Sequence, residues 1–138
     1  MLVFLDTNIF LYAAGRSHPE QEACAGILTL VAQGSLDSTT NTEVVQEILY
    51  VLIRRGLRQE ALALSGAIVT MFPDLFSVTR DDVSSARDLL KRYPGLPVRD
   101  AIHAASMIRN RVQTIVSVDS DFDVVSEIRR VEPRSLLR

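Results

Sequence analysis

The chain has 138 residues, of which 47% are hydrophobic and 23% charged, and its net charge is −2 from 15 basic and 17 acidic side chains. That is a globular composition of one-domain size, able to bury a core without disulfides or structural metal, and it excludes a disordered or collagen-like chain. The single cysteine, Cys24, excludes an intramolecular disulfide and a multi-cysteine metal cage, and the mildly acidic balance argues against nucleic-acid binding through bulk basic charge.

In chain order, Leu2–Leu5 is an apolar run with the length of a buried strand. It is too short for a signal peptide core and is cut off by Asp6, and no stretch of 18 apolar residues follows anywhere. A cytoplasmic protein without a membrane span is expected. Asn8–Ala14 reads as a short helix ended by Gly15. Ser17-His18-Pro19-Glu20 has the spacing of a capping box and opens a helix to about Gln33, with Gly34 as its stop. Leu36–Thr39 is a weak strand. Thr40-Asn41-Thr42-Glu43 is a second capping box, opening a helix with Val44, Ile48, Val51 and Leu52 on one stripe and ending at Gly56.

A further helix covers Arg58–Met71, Leu75–Val78 reads as a strand, and Thr79 caps a helix from Arg80 to Arg92. The turn Tyr93-Pro94-Gly95-Leu96-Pro97 leads into a helix from Val98 to about Asn110. Thr114–Val118 is a strand and Arg129–Val131 an edge strand. Strands separated by helices imply βαβ crossovers. The expectation is one α/β domain over residues 1–138, with a mainly parallel sheet.

Two of these strands end directly in an aspartate, Asp6 and Asp119. Ligands of open parallel sheets bind beyond the carboxyl ends of the strands, where the following helices begin. Asp100 in a first helical turn, and Glu43 and Glu47 in the first two turns after Thr40, are directed to the same rim. Carboxylates converging there repel each other and favour a hard divalent cation with oxygen ligands, Mg2+ or Mn2+. Singly, each acid has an ordinary explanation: Asp6 as a helix cap, Asp100 as a dipole partner, Glu43 as the acid of its capping box, Asp123 as surface charge. Convergence favours a site. His103, one turn after Asp100, reads as a packing or supporting residue, and Cys24 as a small core residue. Neither a phosphate-binding glycine motif nor a covalent catalytic triad is present.

The segments Asp6-Thr7-Asn8, Gln46-Glu47-Ile48-Leu49-Tyr50, Asp100-Ala101-Ile102-His103-Ala104-Ala105 and Ser117-Val118-Asp119-Ser120-Asp121-Phe122 resemble, in order, the motifs of PIN-domain ribonucleases, and the chain resembles their VapC-type toxins. The resemblance implies a PIN-like three-layer α/β/α sandwich around a sheet of 4–5 strands. It carries over Asp6, Glu47, Asp100 and Asp119 as catalytic and metal-binding acids, Asp121 as an additional metal ligand, and Thr7, Asn8 and Ser117 as supporting polar residues. The Ile-Leu-Tyr register favours Glu47 over Glu43. Further implications are a Mg2+ (or Mn2+) cofactor, an RNA substrate, a cognate antitoxin and a homodimer. Arg54, Arg55 and Arg99 are candidate RNA contacts.

A receiver domain would need a lysine after a late strand, but the only lysine, Lys91, falls in a helix; a haloacid-dehalogenase-type phosphatase would need Asp where Asn8 stands. The remaining alternative is a non-catalytic RNA-binding or protein-interaction module on the same scaffold.

Overall fold

The computed structural model describes residues 1–15 and 17–137. Its elements, in order, are β1 (Val3–Leu5), α1 (Thr7–Ala14), α2 (Gln21–Ala32), β2 (Ser38–Thr39), α3 (Thr42–Arg54), α4 (Arg58–Met71), α5 (Arg80–Arg92), α6 (Val98–Arg109), β3 (Thr114–Val116) and β4 (Arg129–Val131). Short 3-10 helices occupy Ser120–Val124 and Pro133–Leu136. The four strands form one wholly parallel sheet in the order β2-β1-β3-β4.

Every residue of β1 and β3 is buried. In a parallel sheet this requires helices on both faces, which gives the three-layer α/β/α arrangement. The core runs through the two central strands, with Phe4, Leu5 and Ile115 meeting Ile9, Phe10, Ile27, Ile48, Ile68, Met107 and Phe122, all essentially inaccessible. Each such side chain contributes about 1.5–3 kcal/mol through burial.

Register decides where the site forms. Leu5 stands opposite Val116, so Asp6 and Ser117 emerge side by side at the carboxyl edge, and the Asp6 N–H donates to the Val116 carbonyl. β1 and β3 are adjacent although the chain leaves β1 toward β2 on its other side, so the strand order reverses between them. Such a reversal opens a crevice at the carboxyl ends.

Three local expectations are corrected. Thr40 does not cap α3: its hydroxyl donates to the Leu5 carbonyl (3.0 Å), and Asn41 caps the helix by accepting from the Val44 N–H (3.0 Å). Ser17 does not open α2, which starts at Gln21. The His18 ring stacks on Tyr12 (centroids 4.0 Å apart) and its Nδ1 accepts from the Glu20 N–H, so a turn replaces the first helical turn. Residues 75–78 form no strand; a single parallel bridge joins Phe76 to Asn41. Where the chain leaves α2 and α3, Gly34 and Gly56 have φ of +73° and +77°, a left-handed conformation that glycine adopts without a Cβ clash. No helix among the described residues is long and apolar enough to cross a membrane.

Candidate active site

Asp6 ends β1 and caps α1. Its Oδ1 accepts from the Thr7 N–H (2.8 Å), and its Oδ2 accepts from the Ser117 hydroxyl (2.6 Å) and the Asn8 amide (3.2 Å). Ser117 also accepts from Asn8 Nδ2 (3.1 Å) and from the Asp119 N–H (3.0 Å), joining the ends of the two central strands. Asp119 in turn caps the following 3-10 helix by accepting from the Asp121 N–H. Asp100 reaches the same edge from the first turn of α6.

Glu47 lies within the buried stripe of α3, between Val44 and Ile48. A carboxylate at such a position requires partners. His103 supplies one, with Nε2 2.7 Å from Glu47 Oε1, and the half-exposed Arg99 guanidinium lies 3.4 Å from Oε2. The His103 Nε2 is also 3.9 Å from Asp6 Oδ1.

Asp6, Glu47, Asp100 and Asp119 line one cavity of about 240 Å³, together with Thr7, Asn8, Arg55 and Arg99. Asp121 stands at its margin, and Asp100, Asp119 and Asp121 each present an oxygen within 4.8 Å of the others. Glu43 does not line this cavity, and Arg54 is turned away, over the Tyr50 ring. Asp123 is paired with Arg130.

Electrostatics mark the cluster as overloaded. Burial first, then the charges of Asp119 and Asp6, push the Asp100 carboxyl up to about 8. Burial raises Asp6 above the ordinary carboxylate range, although His103, Ser117 and the Thr7 N–H oppose it. The adjacent Asp119 charge raises Asp121. Burial disfavours a charged His103, but the Glu47 hydrogen bond and the charges of Asp6, Glu47 and Asp100 outweigh it, so its pKa is raised.

Five buried side-chain polar atoms among the described residues have no hydrogen-bond partner, and three of them, Thr7 Oγ1, Asn8 Oδ1 and Asp100 Oδ2, belong to residues lining this cavity. Buried polar atoms are nearly always paired, so a concentration of unpaired oxygens is the expected mark of a ligand site. An all-oxygen set with excess negative charge fits a hard divalent cation. The Asn41–His103–Glu47 contact escaped sequence reasoning; only the spacing of Asp100 and His103, which puts both on one helical face, signalled part of it.

The PIN domain family model matches residues 3–128. Among curated proteins, the VapC ribonuclease Mb1869c of Mycobacterium bovis and the ribonuclease VapC13 of Mycobacterium tuberculosis are each 34% identical over 132 residues, covering 94% of this chain and 99% of theirs. Among solved structures, the Mycobacterium tuberculosis VapC20 toxin, described as cleaving the sarcin–ricin loop, superposes with a TM-score of 0.75 at 21% identity, over 90% of this chain and 95% of that one. A DNA-bound VapBC structure from Salmonella typhimurium gives a TM-score of 0.71 at 14% identity, over 96% and 99% of the two chains. The chain belongs to the PIN domain family and, within it, to the VapC ribonucleases.

Proposed function

We propose that the chain is a Mg2+- or Mn2+-dependent ribonuclease that hydrolyses RNA phosphodiesters, and the toxin of a toxin–antitoxin pair acting in the cytoplasm. The observation that carries this reading is the group of unpaired buried oxygens on a cavity bordered by four carboxylates. Asp6, Glu47, Asp100 and Asp119, with Asp121 at the margin, would hold the cation. When bound, the cation supplies positive charge at the scissile phosphate and lowers the pKa of water. Ser117 and Asn8 fix the Asp6 carboxylate, and Ser117 ties it to Asp119. Arg55 and Arg99 line the same cavity and supply charge for the phosphate backbone. Attack by water makes no use of the ribose 2′-hydroxyl as nucleophile, so preference for RNA resides in binding contacts.

Control by an antitoxin is supported by a groove beside the site. It has a volume of about 790 Å³, runs between α1, α3 and α4 over Leu11, Ala14, Leu52, Leu57 and Leu64, and shares Leu11 and Arg55 with the acidic cavity. Its shape and apolar floor suit a helical segment, with a basic side chain of the partner reaching the carboxylates. Solved relatives that include VapBC complexes support the same partner class. A homodimer completes the reading, and sedimentation checks it.

Melting is measured with Mn2+ and with EDTA, alongside cleavage of RNA. Mn2+ should raise the melting temperature with concentration, because it binds the native state alone, and wild type should cut RNA where well-folded Asp6→Asn and Asp119→Asn do not. Coincident melting curves up to millimolar metal, or metal-independent cleavage, would refute the reading. Metal binding without cleavage would favour a non-catalytic module.

A further inference from the structure

Glu47 is aimed by a polar chain that starts at the cap of its own helix. The Asn41 amide is fixed end for end, because its Oδ1 accepts from the Val44 N–H (3.0 Å) as the cap of α3. Its Nδ2 therefore faces His103, 3.2 Å from Nδ1. An amide NH2 only donates, so Nδ1 is the acceptor and the ring hydrogen sits on Nε2, 2.7 Å from Glu47 Oε1. Asn41 and His103 are both fully buried, and the Phe4 ring packs on the imidazole with centroids 5.5 Å apart. Water has no access to substitute for either partner.

We propose that Asn41 and His103 are positioning residues: the helix cap sets the hydrogen-bond direction of His103, which engages Glu47 Oε1 and leaves Oε2, beside Arg99, as the oxygen that would hold a cation. The catalytic consequence rests on the nuclease reading, whereas the direction of the hydrogen bonds stands on geometry alone. Outer partners that orient metal-binding side chains typically account for about 10–100-fold in metal affinity or activity.

The chain has only two histidines, His18 and His103, so nitrogen-15 NMR of the imidazoles reads the arrangement directly in metal-free protein, at a pH high enough for the His103 ring to be neutral. Wild type should show His103 with Nδ1 bare and Nε2 protonated. Asn41→Asp keeps a cap of equal quality but places a carboxylate oxygen opposite Nδ1, which should become protonated. Asn41→Ser keeps a cap and removes the amide donor.

Both variants should fold, lose about 10–100-fold in kcat and Mn2+ affinity, and keep the KM for RNA within about twofold. His103→Gln, whose amide can donate to Glu47, should retain more activity than His103→Leu. A protonated Nδ1 in wild type, unchanged kcat and Mn2+ affinity in folded Asn41→Asp and Asn41→Ser, or equal activity in the two His103 variants would each overturn the proposal. Wild type that shows the expected imidazole but neither binds Mn2+ nor cuts RNA would overturn it together with the nuclease reading. Unaltered Asn41 variants of an active enzyme would overturn the proposal alone.

Discussion

Two glutamates one helical turn apart on α3 have separate fates. Glu47 lines the acidic cavity and is held by His103, whereas Glu43 stands half-buried outside it, its carboxyl raised by burial and by Glu47. Glu47→Gln should therefore abolish RNA cleavage in a folded chain, and Glu43→Gln should cut at roughly the wild-type rate. Because Asn41 rather than Thr40 is the cap, Glu43 is not the acid of a capping box, and its loss should change stability by less than about 1 kcal/mol. The pH response follows from Asp100. Its carboxyl lies at about 8 in the fold against an ordinary 3.8, so between those values the native chain holds a proton that the unfolded chain has released. The Asp100 contribution to metal-free stability should be full below pH 4 and fall as pH rises toward 8. Asp100→Asn should flatten this slope, raise metal-free stability at pH 8 by on the order of 1 kcal/mol (about 4 °C), and eliminate the Mn2+ response. Thermal melts at pH 5 and 8, with and without Mn2+, check each point.

At the scale of elements, α5 is the best-capped helix. Thr79 accepts from the Asp82 N–H and Asp82 accepts from the Thr79 N–H, while Arg109 of α6 clasps both Asp82 oxygens at 2.6 and 3.1 Å. Burial alone would raise the Asp82 carboxyl, but these partners hold it below its usual range. Its contribution is present above the ordinary carboxylate pKa and lost as pH falls through the lower folded value. Asp82→Asn should cost about 1–2 kcal/mol in urea melts at pH 7, the exposure of Arg109 moderating the loss, and nearly nothing once the wild-type carboxyl is protonated.

Elements were legible wherever one signal dominated: the apolar β1 and β3, the helix stripes, and Thr79, which has no rival beside it. The start of α3 was not, because Thr40 and Asn41 are adjacent and both fit a cap. The choice is made by the Leu5 carbonyl, which engages Thr40 from another part of the chain. Residues 75–78 look like a strand by composition but have only a single bridge to pair with. The converging acids were legible because Asp6 and Asp119 follow apolar strand segments and Asp100 and Glu47 lie in the first two turns of their helices. The Asn41–His103 contact was not, since its residues lie 62 positions apart and only folding joins them.

For the whole molecule, the apolar groove and the acidic cavity are neighbours that can be separated by mutation. Ala63 lines the groove but not the cavity. Ala63→Glu places a charge on the groove floor at an exposed helical position, where a surface change costs little stability. Cleavage by the purified variant should match wild type, while neutralisation by the cognate antitoxin should need at least tenfold more antitoxin. Titrating inhibition of cleavage with antitoxin measures this, and inhibition at the wild-type ratio would remove the groove from the interface.

The pairing of β1 with β3 also has a temporal meaning. Asp6 is synthesised well before the hydroxyl that holds it, which belongs to Ser117, 111 positions later, and Asp119 follows still further on. Until then β1 can pair only with β2 on one side, and Asp6 lacks the Ser117 and Asp119 that complete its edge of the cavity. A product cut short before Ser117 lacks β3, the hydroxyl that donates to Asp6 and the Asp119 carboxylate, and should not cut RNA, which a cleavage assay of the truncated chain checks. The layout ties assembly of the acidic cavity to the pairing of β1 with β3, a late event relative to the synthesis of Asp6.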